Sequence, residues 1–274
     1  MSVTWNEERR IFQLDTTGTS YLIGITDDEQ FVGHIYYGKR LRQQDARFLL
    51  RTEERPFVPS VNNRERCAFY DSFPTEYAGN GVGDFRESCS AVRTAGGHAA
   101  VMPTFDSFEI LEEKPALAGL PCAFSAGDPV QTLVLHCSDG VLGLKVSLLY
   151  SVFEKEDVIT RSVIVENEGG EPIYLTKVMS ACIDMDDDDY DMLTLHGGWA
   201  RERQIEVKPL RYGKQSVGSG KGESSHQEHP FIAWMTKNAS QTWGEVYGMH
   251  FVYSGNFLAQ IEKTQYDSLR AVMG

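Results

Sequence analysis

Basic residues are in short supply in this chain: 26 Lys and Arg stand against 39 Asp and Glu, for a formal net charge of -13. A field of this sign repels a polyanion, so nucleic-acid binding is disfavoured. Long apolar runs are also missing, and no segment is long enough to span a bilayer. The first residues carry acidic side chains where a secretory signal needs a basic region and an apolar run. We therefore expect neither a nucleic-acid partner nor a membrane.

Cysteine is sparse. The five cysteines are odd in number and contain no Cys-x-x-Cys spacing, which excludes a full disulfide framework and a zinc knuckle. This usage indicates reduced, buried thiols in a cytoplasmic protein.

Motifs for metal or nucleophilic chemistry are lacking too. The acidic run Cys182–Asp191 has Asp189 and Leu195 where a calcium loop starting at Asp184 would need glycine and glutamate, so we interpret it as a solvated acidic loop. His226 and His229 match no zinc-protease spacing. With no G-x-S-x-G elbow either, we expect no metal, no cofactor and no serine nucleophile.

Short apolar runs between turn signals are what the chain does contain. Val158–Asn167 sets Val158, Val163 and Val165 among polar residues, as in a half-buried antiparallel strand. The stretch 167–172 that follows is a turn in which glycines supply positive φ. One short helical turn is expected before Pro56. The pattern predicts an all-β, antiparallel, large two-sheet sandwich, with residues 1–274 as one domain.

Aromatic residues are abundant: 14 Phe, 12 Tyr and 4 Trp. Such side chains pack in a core, and their faces also bind sugars in concave sites. Composition leaves both interpretations open.

The segment Glu76–Cys89, EYAGNGVGDFRESC, has alternating glycines but lacks the strand before and the helix after it that a phosphate loop requires. We interpret its GDFR as a structural corner, in which Gly83 turns the backbone and Asp84 and Arg86 tie down neighbouring loops.

Several motifs occur in one order over nearly the whole chain. They are FPTEYAGNGVGDFRESC, LGLKVSLLYSVFEKEDVITRSVIVENEGGEPIYLTKVMSACID, HGGWARER and GESSHQEHPF. Together they closely resemble the N-terminal region of bacterial α-galactosidases of glycoside hydrolase family 36.

The resemblance implies a β-supersandwich like that of galactose mutarotase, followed in the parent by a catalytic barrel. Family members act on terminal α-D-galactosyl residues by a retaining mechanism with two carboxylates, which would lie on that barrel. No catalytic residue is therefore expected here, and neither Glu76 nor Asp84 is assigned that role. We expect residues 1–274 to be a non-catalytic N-terminal domain, incomplete at its C-terminal end and inactive alone.

The resemblance also implies three kinds of partner: galactoside sugars, the catalytic barrel of the parent protein, and further copies of the chain in a homotetramer. In tetrameric members a loop similar to residues 59–72 enters the neighbour's active site. This points to Asn62, Asn63 and Arg64 as substrate-binding residues in trans, although the family pattern has an acidic pair where this chain has asparagines. Trp199, Arg201 and Arg203 are expected in packing and interfaces. The alternative function is a stand-alone carbohydrate-binding or assembly module.

Overall fold

The computed structural model describes residues 2–42, 45–52 and 69–274. Within these ranges the chain is built from antiparallel strands, with one short 3-10 turn, Arg47–Leu49, as its helical element. The predicted all-β antiparallel class is confirmed, and so is the single helical turn before Pro56. No helix in the part of the chain described is long and apolar enough to cross a membrane.

The chain divides into two compact units: residues 1–116 with 123–183, and residues 117–122 with 184–274. The first unit contains ten strands in its described residues and the start of an eleventh. They are β1 (Val3–Asn6), β2 (Ile11–Asp15), β3 (Thr19–Ile25), β4 (Val32–Lys39), β5 (Ser90–Thr94), β6 (Thr104–Leu111), β7 (Val130–Asp139), β8 (Leu144–Phe153), β9 (Val158–Asn167), β10 (Ile173–Val178) and β11 (Ala181–Asp186).

Three sheets belong to this first unit. Their strand orders are β1-β2-β3-β4, β6-β7-β8-β9 and β10-β5. In the second sheet β8 pairs with β9 over ten residues, which places Tyr150 directly opposite Arg161. β9 is an edge strand, and none of its residues is fully buried. Most of its residues are partly buried, as predicted for a half-buried strand, although Val158 and Ile164 are exposed. The predicted antiparallel pairing is confirmed.

The second unit contains the end of β11 and seven further strands among its described residues. They are β12 (Asp191–Gly198), β13 (Arg201–Pro209), β14 (Gly213–Ser219), β15 (Glu228–Met235), β16 (Val246–His250), β17 (Phe257–Lys263) and β18 (Ser268–Met273). They form sheets of order β11-β18-β17-β14 and β13-β12-β15-β16.

Aromatic residues fill part of the core of the first unit. Phe31, Phe69, Tyr70 and Phe73 are buried together, and the ring centroids of Phe31 and Tyr70 lie 4.6 Å apart. For these residues packing is the correct interpretation of the aromatic-rich composition, because rings that meet edge to face or offset stabilise one another beyond their burial.

The turn after β9 forms where predicted but for a different reason. Neither Gly169 nor Gly170 has a positive φ. A Cβ on Gly169 would stand 2.7 Å from the carbonyl oxygen of Leu142, so glycine is required there by a close backbone approach. The Asn167 side chain closes the turn by accepting from the Gly169 amide at 3.0 Å and donating to the Glu171 carbonyl at 3.0 Å.

The interpretation of Cys182–Asp191 as a solvated acidic loop is wrong for its first half. Residues 182–186 lie in β11, and Asp184 is buried against Arg270 of β18. Asp187 pairs with Lys263, and Asp189 pairs with Lys237. A count of charges could not separate buried ion pairs from a solvated run, since the basic partners lie 48 to 86 residues away.

Candidate functional site

Glu76, the first residue of the glycine-rich segment, lies at the centre of a buried polar cluster in the first unit. Its side chain is fully buried. Tyr21 Oη donates to its two oxygens at 2.7 and 2.9 Å, Tyr150 Oη donates to Oε2 at 2.7 Å, and His34 Nδ1 lies 2.9 Å from Oε1. These three partners come from β3, β8 and β4 respectively.

Arg161 supplies the positive charge of the cluster. Its Nη2 lies 3.1 Å from Glu76 Oε2, and the guanidinium stacks over the Tyr150 ring at 4.5 Å from its centroid. The same group donates to the carbonyl oxygens of Glu76 at 3.1 Å and Cys182 at 2.5 Å, and to the hydroxyls of Tyr150 at 3.0 Å and Tyr21 at 3.2 Å. A planar group with five N–H donors suits this converging set of acceptors, which an ammonium could not match.

The charged groups of the cluster stabilise one another's ionised forms. Burial alone would raise the pKa of Glu76, but the Arg161 guanidinium, His34 and Tyr21 outweigh it and hold that pKa below its ordinary value. Burial and the Glu76 charge raise the pKa of Tyr21 well above 10. Burial opposes the charge of Arg161, yet Tyr150, Tyr21 and Glu76 raise its pKa. The pair is therefore ionised at neutral pH, with both tyrosines as neutral donors.

The cluster is closed to solvent, and this limits its chemistry. Glu76 already has donors on both oxygens and no solvent-facing surface, so a sugar cannot reach it. A retaining glycosidase needs two carboxylates about 5–5.5 Å apart beside an open sugar site. The cluster instead fastens β3 and β4 of one sheet to β8 and β9 of another.

The GDFR corner confirms its predicted structural role. Gly83 has φ of +96°, Arg86 Nε lies 2.8 Å from Asp84 Oδ1, and Arg86 Nη2 lies 2.9 Å from Asp84 Oδ2. The same Nη2 donates to the carbonyl oxygens of Tyr70 and Phe73 at 3.1 and 2.7 Å. The corner thus binds the segment before it, and Asp84 is a partner for arginine rather than for substrate.

The other sequence-predicted residues have three outcomes. Asn62, Asn63 and Arg64 lie outside the described residues. Trp199 is not packed within the structure: 86% of its surface is exposed, and Arg201 and Arg203 are exposed as well. An interface role for these three residues stays a prediction.

Sequence reasoning missed the partners of Glu76, which are Tyr21, His34, Tyr150 and Arg161. One signal was available: Arg161 interrupts the apolar strand VITRSVIV, where a charge needs a buried partner or solvent. Nothing in the sequence identified Glu76, 85 residues away, as that partner.

Two of the histidines in the second unit, His196 and His226, lie beside carboxylates. His196 Nδ1 lies 2.9 Å from Glu228 and its Nε2 lies 3.2 Å from Glu206, while His226 is 3.8 Å from Glu202. His229 faces His250 with ring centroids 5.7 Å apart. Burial, the Arg203 charge and His250 lower the pKa of His229.

Fold and cluster together define a class: an all-β protein in which buried charges fasten two sheets of the first unit to each other. Residues 30–274 match the family model described as the glycosyl hydrolase family 36 N-terminal domain. The chain belongs to this family.

Curated relatives extend over the whole chain. The α-galactosidase AgaA of Geobacillus stearothermophilus is 38% identical over 275 residues, covering 100% of this chain and 38% of that protein. The bifunctional α-galactosidase/sucrose kinase AgaSK of Mediterraneibacter gnavus is 35% identical over 276 residues, covering 100% of this chain and 29% of that protein. The chain thus spans well under half the length of these relatives.

Solved structures agree. The family 36 α-galactosidase AgaB of Geobacillus stearothermophilus superposes with a TM-score of 0.93 at 38% identity, covering 100% of this chain and 37% of that chain. A variant of AgaA in complex with raffinose superposes with a TM-score of 0.91 at 38% identity, covering 96% and 37%. The family resemblance expected from the motifs is confirmed.

Proposed function

We propose that this chain is the non-catalytic N-terminal domain of an α-galactosidase that removes terminal α-D-galactosyl residues from galacto-oligosaccharides by a retaining mechanism. The observation that carries the proposal is that all of this chain is similar to α-galactosidase AgaA, while the match covers only 38% of the length of AgaA. Residues 1–274 serve as one N-terminal β-supersandwich region in this proposal. The partner domain is the catalytic barrel.

The contacts of the buried carboxylates favour a structural role over a catalytic one. The segment Glu76–Cys89 has three carboxylates, and all three are paired: Glu76 with Arg161, Asp84 with Arg86 and Glu87 with Lys177. The buried cluster and the GDFR corner hold strands and loops in fixed positions. A domain that orients a second domain needs a rigid surface of this kind. The nucleophile and the acid/base then come from the barrel.

Two further properties belong to the same proposal. The parent protein is cytoplasmic, which suits Cys137, buried as a thiol whose pKa burial raises to about 12. It also assembles as a homotetramer.

The decisive experiment compares the complete gene product with residues 1–274 alone. We expect the gene product to release nitrophenol from p-nitrophenyl α-galactoside with retained configuration. The 274-residue chain should release none, because the two carboxylates of the retaining mechanism are expected on the barrel. The pure chain is assayed with and without an α-galactosidase inhibitor.

Inhibitor-sensitive hydrolysis by the chain alone would mean that the active site has been misassigned. A complete gene product that is folded but inert would favour the alternative, a stand-alone carbohydrate-binding or assembly module.

Asn62, Asn63 and Arg64 are proposed to shape the sugar pocket of a neighbouring subunit. The support is family membership and the position of residues 59–72 in the motif order. Their planar amide and guanidinium groups suit paired contacts with hydroxyls. We expect Arg64→Ala in the complete protein to reduce kcat/KM for raffinose by about 5- to 150-fold, equivalent to roughly 1–3 kcal/mol for one lost buried contact.

Thermal stability is the control for Arg64→Ala, since a residue that acts on the neighbour should leave Tm unchanged. A lower Tm with unchanged kinetics, or a fully active monomer, would contradict the trans role.

A further inference from the structure

The sheet of order β13-β12-β15-β16 is apolar on both of its faces. Residues directly opposite one another in paired antiparallel strands share a face. One face carries three apolar side chains that are at most 1% exposed: Met192, Ile232 and Trp234. The other face carries a row of uncharged residues, one from each strand, that lie opposite one another: Val207, Leu193, Ala233 and Gly248.

The strand β15 shows the same feature in its sequence. Its residues 231–235, FIAWM, are all apolar and do not alternate with polar residues. An antiparallel strand that packs on one side and meets water on the other alternates between the two types. A strand of this composition is therefore expected to be covered on both sides.

The second face remains open to solvent within the described residues, and we call it the outer face. Its larger apolar side chains are Leu193, Leu195, Ile205, Val207, Phe231 and Val246. Ile205, Val246 and Val207 are 70%, 56% and 45% exposed, and the other three are half-buried. A contiguous apolar patch of this kind marks an interaction site on a soluble protein.

Charged side chains of β13 lie on the opposite side of the sheet from the outer face. Glu206 stands opposite Thr194, and Lys208 stands opposite the buried Met192. The sheet thus keeps charge away from the centre of the outer face, as the core of a protein interface requires. Permanent interfaces in particular are apolar and resemble a domain core cut in half.

Two observations favour an attached part of the same protein over a second copy as the occupant. Each further copy would bring the same formal net charge of -13, and like charges oppose association. The match covers only 38% of the length of AgaA, so that relative contains much chain that has no counterpart in residues 1–274. A segment joined covalently to this domain has a high effective concentration at its surface. Contacts between subunits then fall on other surfaces.

We propose that the outer face of the β13-β12-β15-β16 sheet is the docking surface for the part of the parent protein outside residues 1–274. That part presents an apolar, charge-poor surface to Ile205, Val207 and Val246. Its identity as a catalytic barrel rests on the proposed function. The docking requires only that the parent protein is longer than this chain.

The test is the rate at which a maleimide labels a thiol placed on the outer face, with the label located by peptide mass spectrometry. Ile205→Cys should react readily in the 274-residue chain. In the complete gene product it should react about tenfold more slowly, or slower still, because the thiol is reached only when the interface opens. Val141→Cys is the matched control, since Val141 is 87% exposed in the turn between β7 and β8. It should react at the same rate in both proteins.

A charge placed on the outer face provides the second measurement. Ile205→Lys and Val246→Lys should leave the thermal midpoint of the 274-residue chain unchanged, because both side chains are exposed there. In the complete gene product each should lower the midpoint, since the new ammonium would be buried without a partner. Val141→Lys should change neither protein.

Three results would overturn the docking surface. The first is equal labelling of Ile205→Cys in the chain and in the complete gene product. The second is slower labelling of Val141→Cys to the same degree, which would remove the specificity for the outer face. The third is labelling of Ile205→Cys in the chain alone that slows as its concentration rises, together with self-association that Ile205→Lys abolishes. That result would assign the outer face to a second copy.

The outcome is separable from that of the hydrolysis assay. Protection of Ile205→Cys in a gene product that is inert on α-galactosides would keep the docking surface and remove the α-galactosidase proposal. Hydrolysis by a gene product in which this thiol is labelled as fast as in the chain would do the reverse.

Discussion

Glu76→Gln is expected to lower the free energy of unfolding by about 3–5 kcal/mol, since it leaves the Arg161 guanidinium buried without its countercharge. The side chains of Glu76 and Arg161 are only 0% and 9% exposed, so water cannot replace the lost partner. Urea denaturation at pH 7 measures the effect. Arg161→Met should cost a similar amount, and the double variant less than the sum, because the two changes remove one interaction.

Glu166→Gln is the matched control. Glu166 lies on the same strand as Arg161 but is exposed, and its replacement should change stability by no more than about 0.5 kcal/mol. If the effects of Glu76→Gln and Arg161→Met were additive, the two side chains would not act as a pair.

The contribution of the Glu76–Arg161 pair to stability should also depend on pH. The pKa of Glu76 is lowered in the folded chain, so as the pH falls the unfolded state binds the proton first. The stabilisation is complete above the unfolded glutamate value of about 4.3 and is lost as the pH falls through the folded value. Below about pH 4.3 the urea midpoint of the wild type should therefore fall more steeply with pH than that of Glu76→Gln. Parallel plots of midpoint against pH would contradict a lowered pKa for Glu76.

Arg270→Met is expected to have the second large effect, again about 3–5 kcal/mol, because it leaves the Asp184 carboxylate buried and uncompensated. Arg270 Nε and Nη2 each lie 2.7 Å from an Asp184 oxygen, and the two residues are 0% and 2% exposed. Replacing both with apolar residues, Asp184→Leu with Arg270→Met, should recover much of the loss. Guanidinium denaturation followed by tryptophan fluorescence measures both variants.

Lys208→Met is the control for this second pair. Lys208 contacts Glu206 at 3.1 Å, but both side chains are about half exposed, and exposed pairs contribute little. A loss for Lys208→Met as large as that for Arg270→Met would show that burial is not what makes the Asp184 pair strong.

Local patterns predicted the strands well because their causes are local. Runs of β-branched residues such as Val158–Asn167 favour a strand through their own side-chain preferences. Asn167 closes the following turn with partners at most four residues away. The same locality explains the errors. No residue near Gly169 in the sequence shows that the Leu142 carbonyl approaches it. The acidic run likewise does not show that Asp184 is the residue that pairs with Arg270.

The sequence by itself determined the all-β class, the family and the corner at Gly83, since each depends on residue types in a fixed order along the chain. Only the tertiary structure decided which charges are buried and what they contact. Glu76 meets Tyr21, His34, Tyr150 and Arg161 because four strands from two sheets converge on one point. The pairing of a buried charge is set by distance in space, which a one-dimensional pattern does not contain.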